Sequence, residues 1–181
     1  MNHFASRSLV QRRYRAVHGA EPAADYPAYL TIGSPEEPRA VLGFRAADAE
    51  PLFLEKYLGE PIEIVLSRTL RRPVPRGRIV ELGDHASHLS SATLALWREA
   101  AAALEGRADF AVAVLTRPLR AMFARLGVEL TTLAPAHRDA LGDAGAGWGR
   151  YYDADPLLCA GDIAACRAAL DRALSRGAKS C

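Results

Sequence analysis

Apolar positions recur along the chain with two different periods. Leu119, Met122, Phe123 and Leu126 fall at i, i+3, i+4 and i+7, with Pro118 in the first turn and Gly127 as a left-handed stop, which predicts an amphipathic helix. Leu94, Trp97, Ala101 and Leu104 form a second stripe that Ser90 or Ser91 can cap and Gly106 ends. Ile163, Cys166, Leu170 and Leu174 form a third behind the capping residue Asp162. Near the amino end, Val10, Tyr14 and Val17 share one face while Arg12, Arg13 and Arg15 take the others. Extended runs lie between these stripes: 29–32 and 40–45 flank Gly33-Ser34-Pro35-Glu36-Glu37-Pro38 and read as a hairpin. Further strands are expected at 62–66, 79–82, 110–115 and 128–133, and a short helix at 52–58 between Pro51 and Gly59. Segment 135–149 reads as a polar, glycine-rich excursion.

Strand, helix, strand, helix, strand in succession between Ile79 and Leu133 defines an α/β class with helices packed against a sheet. A hairpin in the amino half makes the order compatible with an acetyltransferase-like (GNAT) mixed, twisted sheet flanked by helices, one domain over residues 1–181. The 23 basic and 21 acidic side chains leave a net charge of +2, too little for a whole-protein field that would hold nucleic acid or an anionic membrane. The longest strongly apolar run, Phe110–Leu115, is far short of the roughly 20 residues that span a bilayer. An arginine-rich amino terminus without an acid before Glu21 reads either as the first helix or as an organelle transit segment, and it lacks the apolar core of a secretory signal. Cys159, Cys166 and Cys181 are odd in number and bunched, which is neither a disulfide framework nor a zinc spacing, so a reducing cytoplasm is expected.

The chemistry concentrates in Ile79-Val80-Glu81-Leu82-Gly83-Asp84-His85-Ala86-Ser87-His88. Two carboxylates three residues apart, a glycine between them and two histidines beyond put many titratable groups at one strand end, where open α/β sheets bind ligands. Glu81 reads as a general base raised by partial burial, or as a surface carboxylate or a partner of Arg45 on a neighbouring strand. Gly83 allows a bulge or a close backbone approach. His85 and His88 lack a third metal ligand, and no metal is expected. Ser87, Ser90 and Ser91 at a helix amino terminus read as caps or as anion binders. Arg68, Arg71, Arg72, Arg76 and Arg78 crowd a proline-punctuated loop that is either solvated or a contact for an acidic carrier protein or phosphate. Trp148, Tyr151 and Tyr152 either wall an apolar pocket or pin a late segment to the core.

The segments RRYRAVHGA, AVLGFRAA, LFLEKYLGEPIE, RIVELGDHAS, LRAMFARLGVELTTLAPA and WGRYYDADPLLCAGDI, in this order and over nearly the whole chain, resemble the thermostable hemolysin family of bacterial proteins. That family is in turn similar to the acetyltransferase-like fold and to acyl-homoserine-lactone synthases, which transfer an acyl group from acyl carrier protein to the amine of S-adenosylmethionine. The resemblance implies a sheet that splays between two strands, here 79–82 and 110–115. It places Glu81 on the glutamate of the synthases' tryptophan-glutamate-x-serine-arginine pattern, with Val80, Gly83 and Asp84 standing where tryptophan, serine and arginine would be. Gly43 and Arg45 are similar to a glycine and arginine on an earlier synthase strand, and no glycine-rich pyrophosphate loop lies between Leu82 and Ser91.

These readings make the expected protein an acyltransferase-like enzyme of small-molecule or signal metabolism, with an acyl thioester on a carrier protein or coenzyme A as donor. Glu81 would deprotonate an amine acceptor, S-adenosylmethionine among the candidates, and backbone N–H groups near Gly83 would stabilise the oxyanion. Arg45 would orient a carboxylate, and Asp84, His85, Ser87, Trp148, Tyr151 and Tyr152 would surround the substrate. Ser90 and Ser91 would contact the cofactor, and a carrier protein would dock at the loop 68–78. The competing expectation is a non-enzymatic membrane-active or ligand-binding protein on the same fold.

Overall fold

The computed structural model describes residues 3–22, 25–88 and 90–178. A six-stranded mixed sheet in the order β1-β2-β3-β4-β6-β5 separates two layers of helices. On one face lie α1 (His3–His18), a 3-10 turn (Phe53–Tyr57) and α2 (Ile62–Leu70); on the other lie α3 (Ser90–Leu104), α4 (Arg117–Leu126) and α5 (Ile163–Ala178). β1 (Ala28–Gly33) and β2 (Pro38–Ala46) form the expected antiparallel hairpin, its turn held by the Glu37 N–H donating to Ser34 Oγ at 3.0 Å. β3 (Ile79–Ser87) runs antiparallel to β2 and parallel to β4 (Phe110–Leu115).

Alternation along the central strands assigns each residue to a layer. Ile79, Phe110 and Val112 pack under α2 and the 3-10 turn, whereas Val80, Leu82, Ala113 and Leu115 pack under α3 and α5 with Leu96, Trp97 and Leu170. The α4 stripe contributes Phe123 to the same core, and the helix ends on Gly127 at φ +73°. Asp162 caps α5 by accepting from the Ala165 N–H at 2.9 Å.

Three strand expectations are corrected. Segment 62–66 is the first half of helix α2: Ile62, Val65 and Leu66 share its buried face, while Ile64, which alternation would have buried, is exposed. Pro61 precedes its first turn and Arg71, at φ +53°, closes it, so an apolar β-branched run is here one helical face. β5 spans Thr131–Pro135, later than 128–133, because Val128 belongs to the core beneath α4. A sixth strand, β6 (Leu157–Asp162), escaped the pattern because cysteine, alanine and glycine carry little β-propensity. It enters antiparallel between β4 and β5, so these two never pair with each other.

Candidate active site

The ladder between β3 and β4 runs only from the Ile79–Phe110 pair to the Leu82–Ala113 pair. Beyond it β3 stays with β2 as far as Ser87, and β4 stays with β6 as far as Leu115, so the sheet opens between them. The cause is a bulge in β3. Gly43 pairs with Gly83 and Val41 with Ala86, so Leu42 alone faces both Asp84 and His85. Asp84 takes φ +48°, a left-handed conformation that aspartate tolerates better than most residues, and the extra residue re-aims the strand. Gly83 is required for a different reason: any side chain there would run into the Tyr26 ring, which crosses the strand at Gly43 and Gly83.

The opening is a cleft of about 380 Å³ that passes through the sheet. Its walls are residues 82–88 of β3 and its extension and 113–116 at the end of β4; Tyr14, Val17 and His18 of α1 cover one side, and Thr93 and Trp97 of α3 lie on the other. On the α1 side it meets a small chamber of about 30 Å³ lined by Tyr14, Tyr26, Phe53, Tyr57, Trp148 and Tyr151 with Glu81 and Asp84. On the α3 side it shares Leu82, Trp97, Ala113 and Leu115 with an apolar pocket of about 50 Å³ beneath α3, α4 and α5. The aromatic wall is tied to the end of α1, since the Arg150 N–H donates to the His18 carbonyl at 2.8 Å and the Glu21 N–H to that of Gly147 at 2.7 Å. Gly149, at φ +50°, packs against the His18 and Gly19 carbonyls where a side chain would collide. Tyr14 then stacks on Tyr151 at 6.1 Å, and Trp148 lies 5.1 Å from the same ring.

The two carboxylates differ in what their oxygens do. Glu81 is 1% exposed; its Oε2 accepts from the Phe53 N–H and its Oε1 from the Leu54 N–H, both at 2.9 Å. Arg45 Nε stands 3.5 Å from Oε2. Burial raises the Glu81 pKa, against the lowering effect of those two N–H groups, of Arg45 and of Tyr26. Asp84 is also buried, yet only Oδ2 has a partner, the Tyr29 hydroxyl at 2.7 Å. Oδ1 is shielded from solvent without a hydrogen-bond partner among the described residues, and burial pushes the carboxyl up to about 6. His85 is driven the other way, down to about 4, by burial and then by Arg13.

These shifts predict a measurable opposition. Native Asp84 holds its proton at pH values where the unfolded chain has released it, so its contribution to stability falls as pH rises from about 4 to about 6. Native His85 stays unprotonated between about 4 and 6.5, where the unfolded chain binds a proton, so its contribution rises with pH over nearly the same window. His85→Asn is therefore expected to lose stability more steeply than the wild type between pH 4 and 6. Urea unfolding at pH 4, 5 and 6 measures it, and identical slopes would refute it.

The structure gathers Gly83, Asp84, His85 and Ser87 on the cleft and Trp148 and Tyr151 on the chamber. Glu81 reaches the chamber and not the cleft. Arg45 is placed opposite Glu81 in register, buried over the Tyr26 ring, and donates to the carbonyls of Asp25 and Pro51. It lines neither space, so a substrate carboxylate finds no open guanidinium there. Tyr152 lines neither space; its hydroxyl shares a 2.8 Å hydrogen bond with that of Tyr57, which lines the chamber. Ser91 is exposed at the start of α3 and off the cleft; the side chain of Ser90 and Cys181 lie outside the described residues. The loop 68–78 sits at the opposite end of β3, where Arg68 pairs with Glu60, Arg76 with Glu55 and Glu63, and Arg78 with Asp109. Tyr14, His18, Thr93 and Trp97 were not singled out as site residues by sequence reasoning. Only the docking of α1 and α3 on opposite faces brings them to the opening, and no motif announces that. Among the described residues no cluster of three histidine, cysteine or acidic side chains is placed to hold a metal, and no helix is long and apolar enough to cross a membrane.

A six-stranded mixed sheet parted beside a bulged strand, with helices on both faces, is the acetyltransferase-like fold of acyl-homoserine-lactone synthases. Solved structures with this fold include TofI in a ternary complex with an inhibitor and MTA, at 21% identity over 93% of this chain and 90% of that one with a TM-score of 0.58. FeeM, an N-acyl amino acid synthase from uncultured soil microbes, is 15% identical over 91% and 92% with a TM-score of 0.59. BjaI, a CoA-dependent acyl-homoserine lactone synthase solved with SAM and isopentyl-CoA, is 14% identical over 94% and 80% with a TM-score of 0.60. The chain itself belongs to the thermostable hemolysin family, whose model matches residues 2–167. No curated protein matches the sequence.

Proposed function

We propose that this protein is an N-acyltransferase that moves an acyl group from a thioester to a small amine across the opening between β3 and β4. The reading is carried by one observation: a cleft through the sheet with a buried, half-partnered carboxylate on its wall, an aromatic chamber on one face and an apolar pocket on the other. The thioester carbonyl would lie against the edge of residues 83–86, which has no strand beside it, so backbone N–H groups there can hold the developing oxyanion. The acyl chain would continue into the apolar pocket. The amine would occupy the chamber, where aromatic faces and two carboxylates favour a cationic group over an anionic one.

We assign the proton-accepting role to Asp84, because it lines both the cleft and the chamber, its Oδ1 has no hydrogen-bond partner among the described residues, and burial pushes its pKa up to about 6, which suits a base at neutral pH. Glu81 would act as a positioning residue that fixes the Phe53–Leu54 turn over the chamber. Asp84 takes a proton from the ammonium, the freed nitrogen attacks the thioester carbonyl, and a C–N bond forms. The tetrahedral intermediate collapses with cleavage of the C–S bond, and the nitrogen gives up its second proton, which passes to the departing thiolate, so that amide and free thiol are the products. No enzyme-bound acyl intermediate is needed, and Cys159, buried and raised in pKa by that burial, takes no part. The fold shared with an N-acyl amino acid synthase and with a CoA-dependent acyl-homoserine lactone synthase solved with SAM supports this reading; a carrier-protein donor and S-adenosylmethionine as acceptor belong to the same proposal.

The test is amine-dependent thiol release, followed by mass spectrometry of the amide, with acyl-CoA and acyl-carrier-protein donors crossed against S-adenosylmethionine, amino acids and simple amines. At least one pair is expected to turn over. Leakage of lipid vesicles with no amine-dependent thiol release from any pair would replace this reading with the membrane-active one.

A further inference from the structure

Phe53 and Tyr57, the two ends of the 3-10 turn, both line the chamber, and the Phe53 ring lies 5.9 Å from that of Trp148. A 3-10 turn of five residues has little stability of its own, and Leu52 before it provides no side-chain cap. What grips the turn therefore sets its position. On the chamber side Glu81 takes the Phe53 and Leu54 N–H groups. On the outer side the grip is Glu55, whose Oε2 accepts from the Leu52 N–H at 3.0 Å and whose Oε1 accepts from the Ile62 N–H, at the start of α2, at 2.9 Å. Arg76 closes on the same carboxylate with both arms of its fork, Nη1 to Oε1 at 2.6 Å and Nη2 to Oε2 at 3.0 Å. Its Nε donates to the Ala47 carbonyl at 2.7 Å, and Nη1 also reaches Glu63 Oε2 at 2.6 Å. Burial works against the Glu55 charge, but Arg76 and the two N–H groups outweigh it and hold the pKa below the usual carboxylate range, so the pair stays ionised at neutral pH.

We propose that Arg76, acting through Glu55, is a positioning residue for the amine acceptor, latching the turn from outside so that Phe53 and Tyr57 hold fixed places in the chamber wall. The kinetic consequence rests on the acyl-transfer reading; the latch itself does not. Arg76 lines neither the cleft nor the chamber, so it acts through the turn and not on the substrate. It stands just before β3, the strand that carries Glu81. One stretch of chain thus holds the turn from both sides, Arg76 through Glu55 and Glu81 through the Phe53 and Leu54 N–H groups. A guanidinium bound to both oxygens of a carboxylate fixes direction as well as distance. A lysine ammonium is a point charge and cannot reproduce that fork. No residue of the turn lines the cleft or the apolar pocket, so the latch bears on the amine and leaves the thioester alone.

The chain has two tryptophans, Trp148 in the chamber and Trp97 beneath α3 on the other face of the sheet, so 19F NMR of the full-length protein labelled with 5-fluorotryptophan reads the chamber against an internal reference. The Trp148 resonance is assigned as the one lost in Trp148→Phe. Arg76→Gln is expected to shift or broaden that resonance while the Trp97 resonance stays in place. Glu55→Gln, read alongside it in case Arg76→Gln fails to fold, is expected to do the same, and Arg76→Lys to fall between. Glu63→Gln removes an ion contact from the same guanidinium without touching the turn, and is expected to move neither resonance. With a donor and amine that turn over, Arg76→Gln should lower kcat/KM for the amine by about tenfold to a hundredfold, within what misplacing a reacting group costs, and leave KM for the thioester within about twofold. An unmoved Trp148 resonance in both folded variants overturns the latch, as does a Glu63→Gln protein that moves it equally. A KM for the thioester that rises as much as that for the amine overturns the assignment to the acceptor. If no pair turns over, the acyl-transfer reading falls and the assignment to the acceptor falls with it, while the Trp148 resonance still decides the latch.

Discussion

Asp84→Asn is expected to lower kcat/KM for acyl transfer by roughly a hundredfold to ten-thousandfold, the usual worth of a positioned general base. The substitution is nearly isosteric, asparagine also tolerates the left-handed backbone at this position, and its side-chain oxygen can still accept from Tyr29. Folding should therefore survive. Removing a buried carboxylate whose pKa is raised from 3.8 to about 6 is expected to stabilise the protein at pH 8 by up to about 3 kcal/mol, while at pH 3 the difference disappears because both states are protonated. In the wild type, activity should rise with pH through an inflection near 6, as Asp84 loses its proton in the free enzyme. Thiol release measured from pH 5 to 8, with urea unfolding of both proteins, checks these together. A variant that turns over normally with the wild-type pH profile would remove Asp84 from the chemistry.

Glu81→Gln should act mainly on stability. A carboxylate accepts from two backbone N–H groups at once, and a carboxamide presents a donor to one of them. The same change leaves the buried Arg45 guanidinium only the partly exposed Glu50, 3.7 Å away, as an anion. Breaking a buried ion pair from one side costs about 3 kcal/mol or more, which for a chain of this length lowers the melting temperature by roughly 10 °C. At low temperature, where the variant is still folded, residual turnover should exceed that of Asp84→Asn. If Glu81→Gln melts like the wild type and is inactive while Asp84→Asn turns over, the roles of the two carboxylates are reversed.

Their contrast shows where sequence reasoning reached and where it stopped. Both carboxylates were visible as a pair on one strand, and the pairing of Glu81 with Arg45 was one of the three readings of that residue. Nothing local in Glu81-Leu82-Gly83-Asp84 distinguishes a carboxylate with both oxygens occupied from one with an unpartnered oxygen. That difference is made by the Phe53–Leu54 turn, by Tyr29 and by α1, all distant in sequence. The gathering of Trp148 and Tyr151 at the chamber was anticipated as an aromatic wall. Tyr152 instead stands behind it, hydrogen-bonded to Tyr57, a partner 95 residues away along the chain.

By itself the sequence determined the periodic elements: the α1, α3, α4 and α5 stripes, the β1–β2 hairpin and the central strands, because side-chain spacing and glycine or proline punctuation act over a few residues. It could not decide whether Ile62, Val65 and Leu66 fold as helix or strand, nor that a strand of cysteine, alanine and glycine would separate β4 from β5, since both depend on which surfaces are already covered. The opening in the sheet is likewise a tertiary product. One surplus residue in β3 shifts its pairing with β2, and β4 keeps to β6. The gap between them is set by hydrogen bonds that no single segment contains.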